Sequence, residues 1–142
     1  MIESSIPDFT FYQSCVIPYR VNSGKIEVLL ITSLRKKKWI VPKGFVEFNL
    51  SAFESAKKEA YEEAGVLGAN ETTELGEFRI EKGAGLTIVK VYSMEVTEEL
   101  DSYPEMNMRK RKWYALENAV EKLEMPQLKT YLNKLNKIVS HS

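Results

Sequence analysis

The distribution of apolar positions predicts a β-hairpin in the first third of the chain. Residues 10–19 and residues 25–33 carry the apolar and β-branched side chains that are typical of strands. Between them, residues 22–24 have the sequence Asn-Ser-Gly, which favours a tight turn. Because Pro18 has no N–H to donate to a sheet, we expect it to occupy an edge or terminal position.

A second hairpin is predicted in the middle of the chain. Residues 74–82 and residues 86–96 flank a Gly-Ala-Gly segment, and glycine allows the positive φ that a tight hairpin turn requires. Residues 97–108 are acidic and contain a proline, so we expect a loop there. A short strand is predicted over residues 113–115.

Helical signals lie between the two hairpins. Ser51 and Glu54 have the spacing of a capping box, and Gly65 stands where a helix commonly ends in a left-handed residue. The helix between them has one narrow face of mostly small side chains, which can lie close to a sheet: Phe53, Ala56, Ala60 and Ala64.

Two helical stretches are predicted near the C-terminus. The first carries apolar residues at helical spacing, namely Leu116, Ala119, Val120 and Leu123. Pro126 begins the second, whose apolar positions are Leu128, Tyr131, Leu132, Leu135 and Val139. Because hairpins alternate with helices, we expect an α/β fold with a mixed β-sheet between helices rather than a doubly wound parallel sheet.

Composition favours one small soluble domain over residues 1–142. The chain has 44% hydrophobic residues, enough for one core. It has 20 Lys plus Arg and 20 Asp plus Glu, so no global charge draws it to nucleic acid or an anionic membrane. Cys15 is the single cysteine, which excludes an internal disulfide and, with no signal peptide or membrane span evident, predicts a cytoplasmic protein. Residues 1–9 are expected to form a flexible arm, and residues 140–142 a frayed tail.

Three carboxylates cluster on the predicted helix. Glu59, Glu62 and Glu63 are three and four residues apart, which places their β-carbons about 5–6 Å from one another. Carboxylates this close repel, and Mg²⁺ or Mn²⁺ would remove that repulsion. Two alternatives remain, namely a solvated acidic face and ion pairing with Lys57 and Lys58 along the helix.

The segment GFVEFNLSAFESAKKEAYEEAGV, residues 44–66, resembles the Nudix box, a family signature written G-x5-E-x7-R-E-U-x-E-E-x-G-U with U a bulky apolar residue. The matching positions are Gly44, Glu59, Glu62, Glu63, Gly65 and Val66. Leu50 and Lys58 replace the early Glu and the Arg of the signature, and Ala60 replaces the bulky residue. In the family, that Glu and Arg form a structural ion pair. Loss of both partners leaves no orphan charge, so we expect the fold and metal site to survive.

The resemblance extends over about residues 13–123. Residues 39–44, Trp-Ile-Val-Pro-Lys-Gly, resemble the family's W-x-x-P-x-G entry to the box, and residues 109–114 resemble its basic-aromatic segment. The combination is similar to diphosphoinositol polyphosphate and diadenosine polyphosphate hydrolases. It implies Mg²⁺ or Mn²⁺ on the three glutamates and the Gly44 carbonyl. It also implies that substrate phosphates contact four residues: Ser33, Arg35, Lys43 and Arg109.

The function implied is metal-dependent hydrolysis of a diphosphate linkage in a nucleoside diphosphate derivative or a dinucleoside polyphosphate. The expected partner is therefore a small phosphorylated molecule, not a membrane. A different class stays open, a Nudix-like domain that binds a phosphorylated ligand as a sensor without cleaving it. Nucleic-acid binding through the two basic segments ranks lowest, because the net charge is zero.

Two further assignments stay open. The group that accepts the proton of the attacking water belongs either to the box or to the acidic segment, whose candidates are Glu98, Glu99, Asp101 and Glu105; these residues are equally well explained as solvated loop charges. Three aromatic residues could stack on a base or belong to the core: Tyr12, Trp39 and Phe45. Cys15 is expected to be a buried small residue, and His141 to lie in the tail.

Overall fold

A computed structural model describes residues 8–69 and 74–140. The strands are β1 Phe9–Asn22, β2 Lys25–Thr32, β3 Trp39–Ile40, β4 Lys43–Phe45, β5 Val66–Gly68, β6 Glu74–Lys82, β7 Gly85–Glu99 and β8 Arg111–Ala115. The helices are α1 Ala52–Glu59, extended by a π-helical turn at Ala60–Ala64, then α2 Leu116–Lys122, and α3 Lys129–Ser140 after a 3₁₀ turn at Pro126–Leu128.

The strands form one mixed sheet in the order β3-β2-β1-β7-β5, with β4 on β1, β6 on β7 and β8 on β2. β1 and β7 run parallel from the pair Phe9–Gly85 to the pair Tyr19–Glu95, and the other pairs are antiparallel. Both predicted hairpins are present as β1–β2 and β6–β7. The expectation of a mixed rather than a doubly wound parallel sheet is confirmed.

The prediction of an edge or terminal position for Pro18 is wrong, because β1 is a central strand that continues to Asn22. On its antiparallel side, β1 changes partner. Residues Gln13 to Cys15 pair with β4, and residues from Tyr19 onwards pair with β2. Pro18 falls between these two ladders, where its missing N–H removes no ladder hydrogen bond.

Helices cover both faces of the sheet. Val16 and Leu29 belong to a core that contains the small face of α1, whereas Ile17 and Leu30 belong to a core that contains side chains of α2 and α3. Successive strand residues point to opposite faces, so each central strand supplies both cores. The architecture is therefore a helix–sheet–helix sandwich, as expected from the sequence.

The helix that carries the acidic cluster begins as predicted. Both hydrogen bonds of the capping box between Ser51 and Glu54 are present, and Gly65 ends the helix with φ of 67°. The last turn differs from a regular helix because it is a π-turn, in which the Gly65 N–H approaches the carbonyls of both Ala60 and Tyr61. Such turns widen a helix locally and are frequent at functional sites.

Several predicted boundaries change. β7 continues through Glu99, so residues 97–99 are strand rather than loop. Of the predicted arm, Asp8 and Phe9 are described, and both are ordered, since the Asp8 N–H donates to Ala84 O at 2.8 Å and β1 begins at Phe9. The rest of that arm and His141 lie outside the described residues. None of the helices in the described ranges combines the length and apolar character needed to cross a membrane.

Candidate functional site

Two carboxylates of the box helix meet beside the backbone of β4. Glu63 Oε1 accepts a hydrogen bond from the Lys43 N–H at 3.3 Å, and the side chains of Glu59 and Glu63 are hydrogen-bonded to each other. The Glu59 carboxylate occupies the space beside Gly44, where any β-carbon would overlap it. The absence of a side chain at Gly44 therefore allows this carboxylate to approach the strand.

The electrostatics of this pair follow from burial. Glu63 is 7% exposed. Burial, followed by the hydrogen bond that the protonated Glu63 carboxyl donates to Glu59, raises the pKa of Glu63 to about 8. Burial also raises the pKa of Glu59, and the neighbouring charges of Glu62, Glu105 and Glu47 raise it further. Two ionised carboxylates in contact would repel strongly, so the pair needs either a shared proton or a cation.

These residues fit a hard divalent cation. Carboxylate and carbonyl oxygens are the ligands that Mg²⁺ and Mn²⁺ prefer. Ser14 adds a second observation, because it is fully buried and its hydroxyl has no hydrogen-bond partner among the residues that the structure describes. It lies opposite Gly44 in the β1–β4 ladder, and opposite residues point to the same face, so the hydroxyl faces the side where Glu59 lies. A hydrated cation there would give it a water to bond.

The third predicted ligand is placed differently. Glu62 lies beside Lys58, with Nζ to Oε2 at 3.9 Å, and its side chain is 33% exposed. Within the described ranges, no three acidic, histidine or cysteine side chains come close enough together to form a metal cluster. The structure therefore brings Glu59 and Glu63 together. The role of Glu62 as a ligand stays a prediction, and its side chain would have to adopt another rotamer to reach the pair.

The expected loss of the box's ion pair is wrong. Lys58 Nζ lies 2.7 Å from Glu47 Oε2, so a glutamate three residues before Leu50 supplies the anion. The Glu47 N–H also donates to Ser55 Oγ at 3.0 Å, which holds the loop against α1. The hydrogen bond to Glu47 raises the pKa of Lys58, as expected for a paired ammonium. The sequence signature missed this pair because the partner is displaced along the loop.

Restoring the signature glutamate is therefore expected to change little. In Leu50→Glu, the new carboxylate would compete for a lysine that Glu47 already holds, so we expect kcat to change by less than about twofold. Steady-state kinetics of the variant beside the wild type measures this. A large gain in kcat would show instead that the Glu47–Lys58 pair does not replace the pair of the signature.

Arg109 connects the acidic pair to the following loop. Its side chain is 9% exposed, and its Nη2 lies 3.8 Å from Glu63 Oε2. Nε donates to Glu105 Oε1 at 2.8 Å, and Nη1 donates to Thr32 O at 3.1 Å. Glu105 is thereby the member of the acidic segment that lies at the site. Its spacing of four residues from Arg109 is the signal that could have identified it.

The structure describes the surroundings of the other three predicted phosphate contacts, and their role in binding phosphate stays a prediction. The Ser33 hydroxyl accepts from the Lys38 N–H at 3.0 Å, which closes the basic loop and leaves its own proton free to donate. Arg35 is exposed in that loop. Lys43 contributes its backbone N–H to Glu63, and its charge acts on Cys15. Burial raises the pKa of Cys15 to about 12, which is unsuited to a nucleophile.

Sequence reasoning missed the structural role of Arg111. Its guanidinium donates to Ala64 O at 2.9 Å and to Leu100 O at 2.7 Å, and it lies 4.7 Å from the centre of the Tyr103 ring. These contacts satisfy a carbonyl at the end of the box helix. The basic segment from Arg109 is thus partly used within the protein, which reduces its suitability as a nucleic-acid surface.

Comparisons with known proteins identify the family and the fold of this chain. The family model described as NUDIX domain matches residues 12–135. Nudix hydrolase 12, mitochondrial, of Arabidopsis thaliana is 33% identical over 135 residues, covering 80% of this chain and 66% of that protein. Diphosphoinositol polyphosphate phosphohydrolase 2 of Rattus norvegicus is 39% identical over 114 residues, covering 77% of this chain and 62% of that protein.

Among solved structures, an Ap4A hydrolase of C. elegans in a binary complex matches with a TM-score of 0.75 at 22% identity, covering 93% of this chain and 99% of that chain. This likeness shows the shared fold. The chain spans about two thirds, or less, of the length of the two relatives above. Because the domain match includes both the box helix and the flanking sheet, this chain belongs to the NUDIX domain family.

Proposed function

We propose that the chain is a single Nudix hydrolase domain that cleaves a diphosphate linkage in a nucleoside diphosphate derivative or a dinucleoside polyphosphate. The observation that carries the proposal is the contact of the half-buried Glu59 with the buried Glu63 beside Gly44, with Arg109 next to them. A sensor has no need to keep two repelling carboxylates in contact. The names of the relatives, a Nudix hydrolase and a diphosphoinositol polyphosphate phosphohydrolase, support the same reaction class.

Glu59, Glu62, Glu63 and the Gly44 carbonyl would hold Mg²⁺ or Mn²⁺. When bound, such a cation supplies charge that neutralises the phosphate oxygens as the bond breaks and makes an attacking water more acidic. The protein contributes positioning. The Nη2 of Arg109 lies too far from Glu63 for a hydrogen bond, at 3.8 Å, and is therefore the guanidinium nitrogen available to a phosphate oxygen.

The remaining groups have distinct tasks in this proposal. Arg35 and Lys43 supply positive charge along the phosphate chain, and the Ser33 hydroxyl donates its free proton to a phosphate oxygen. Glu105, held by Arg109 at 2.8 Å, is the carboxylate that would accept the proton of water. Localisation in the cytoplasm stays a prediction, because several relatives from Arabidopsis thaliana are named as mitochondrial or chloroplastic.

The proposal is tested by measuring product release from ADP-ribose, diadenosine tetraphosphate and an inositol pyrophosphate, each with Mg²⁺, with Mn²⁺ and with EDTA. We expect turnover that EDTA abolishes, and higher kcat/KM for the two nucleotide substrates than for the inositol pyrophosphate. Absence of turnover with all three would contradict the proposal. If thermal shifts still showed ligand binding in that case, the sensor class would be favoured.

A further inference from the structure

A second recess lies next to the acidic pair, between the basic loop and the segment before β8. Its volume is about 630 Å³, within the range of small-molecule sites. The lining residues are Thr32, Lys37, Trp39, Met106, Asn107, Met108, Arg109 and Lys110. Of the predicted phosphate contacts, Arg109 lines this recess, whereas Ser33, Arg35 and Lys43 do not.

The two walls of the recess are tied together by hydrogen bonds. The Thr32 N–H donates to Lys110 O at 3.0 Å, and the Lys110 N–H donates to Thr32 Oγ1 at 2.9 Å. Across the opening, Lys37 Nζ donates to Met108 O at 3.4 Å. Lys37 has φ of 55°, a conformation that side chains other than glycine, Asn and Asp rarely adopt. The loop thus holds an unfavourable backbone conformation at the residue whose ammonium reaches the recess.

The chemistry of the lining combines cations with apolar and amide groups. Lys37 and Lys110 supply positive charge, whereas Trp39, Met106 and Met108 supply a flat ring and polarisable thioethers. Met106 and Met108 are 39% and 49% exposed, which leaves apolar surface uncovered. A polyanion without a base would gain nothing from the methionines or the indole. A nucleotide would use both parts, with its base against the apolar wall and its phosphate near the lysines.

We propose that this recess binds the nucleoside moiety of the substrate, with the base at Trp39 and the methionines, the base edge at the Asn107 amide, and the adjoining phosphate at Lys37 and Lys110. The inference rests on the proposed function for its substrate class. Arg109 provides the connection, because it lines the recess and also lies 3.8 Å from Glu63. A base in the recess therefore directs the phosphate chain towards the acidic pair.

The test uses the fluorescence of Trp39. The chain has two tryptophans, so Trp113→Phe leaves Trp39 as the single tryptophan, whose emission is excited selectively at wavelengths that tyrosine does not absorb. This variant is titrated with AMP, ribose 5-phosphate and inositol hexakisphosphate, all in EDTA. AMP has no diphosphate linkage to cleave, so the measurement does not depend on turnover. We expect saturable quenching by AMP and much weaker quenching by ribose 5-phosphate.

Charge variants in the same background locate the site. Lys37→Gln and Lys110→Gln are each expected to weaken AMP binding about tenfold, since each removes a charge-assisted hydrogen bond. Lys36→Gln is the matched control, because Lys36 is exposed in the same loop and does not line the recess. Equal quenching by ribose 5-phosphate, stronger quenching by inositol hexakisphosphate, or equal effects of all three variants would overturn the inference. Loss of catalysis with AMP binding intact would contradict only the proposed function.

Discussion

Replacing Glu63 by glutamine is expected to lower kcat/KM for metal-dependent hydrolysis by more than about 100-fold, because loss of a group that merely supports a ligand already costs about 10–100-fold. The amide is isosteric with the carboxylate and keeps an oxygen for the Lys43 N–H, so the loop keeps its contact. Without metal, we expect the melting temperature to stay the same or to rise. The substitution removes one of two neighbouring carboxylates, which repel each other when both are ionised.

The measurement combines steady-state kinetics with thermal denaturation in EDTA and in Mg²⁺. At a Mg²⁺ concentration about 100 times its Kd, the wild type should gain about 2.7 kcal/mol, or about 5–10 °C, and Glu63→Gln should lose most of that gain. Glu121→Gln, on the exposed side of α2, is the control for removing one negative charge. A Glu63→Gln protein with normal turnover would show that this residue does not hold the metal.

The parts of the fold that the sequence predicted are those set by local chemistry. The capping box at Ser51, the left-handed residue Gly65 and the alternation of apolar positions in the hairpins each depend on neighbouring residues. Pro18 was placed wrongly because its environment depends on two distant strands, β2 and β4, which share one side of β1. No pattern in the local sequence indicates where the pairing of β1 with β4 ends and its pairing with β2 begins.

In the candidate site too, local spacing predicted some contacts, whereas contacts that depend on the path of the loop were missed. Helical spacing predicted that Glu59, Glu62 and Glu63 lie together; Glu59 and Glu63 do, but the Glu62 side chain lies beside Lys58 instead. The anion that pairs with Lys58 was missed, because Glu47 reaches it through the path of the loop and not through the spacing of the signature. Arg109 was predicted to contact substrate, yet two of its three nitrogens bond to protein oxygens. The protein oxygens that a side chain contacts depend on how the chain folds, so these contacts of Arg109 could not be predicted from the sequence.

Gly44→Ala is expected to reduce kcat/KM by about 10–100-fold with little change in the stability of the metal-free protein. A β-carbon at residue 44 would overlap the carboxylate of Glu59, which lies at the end of a flexible side chain. The cheapest response is rotation of Glu59 away from β4, since the strand backbone at Gly44 does not have a positive φ and tolerates alanine. The fold is therefore preserved, and the ligand geometry is lost.

The decisive comparison is the affinity for Mn²⁺, measured by calorimetry on Gly44→Ala, on Glu59→Gln and on the double variant. If the methyl group acts by displacing Glu59, both single variants should weaken Mn²⁺ binding, and the double variant should be no weaker than Glu59→Gln, because the two changes remove the same interaction. Gly85→Ala is the matched glycine control, since its β-carbon would meet the ring of Phe9 rather than a carboxylate. Additive losses in the double variant would contradict this mechanism, because they would require Gly44 to support metal binding independently of Glu59.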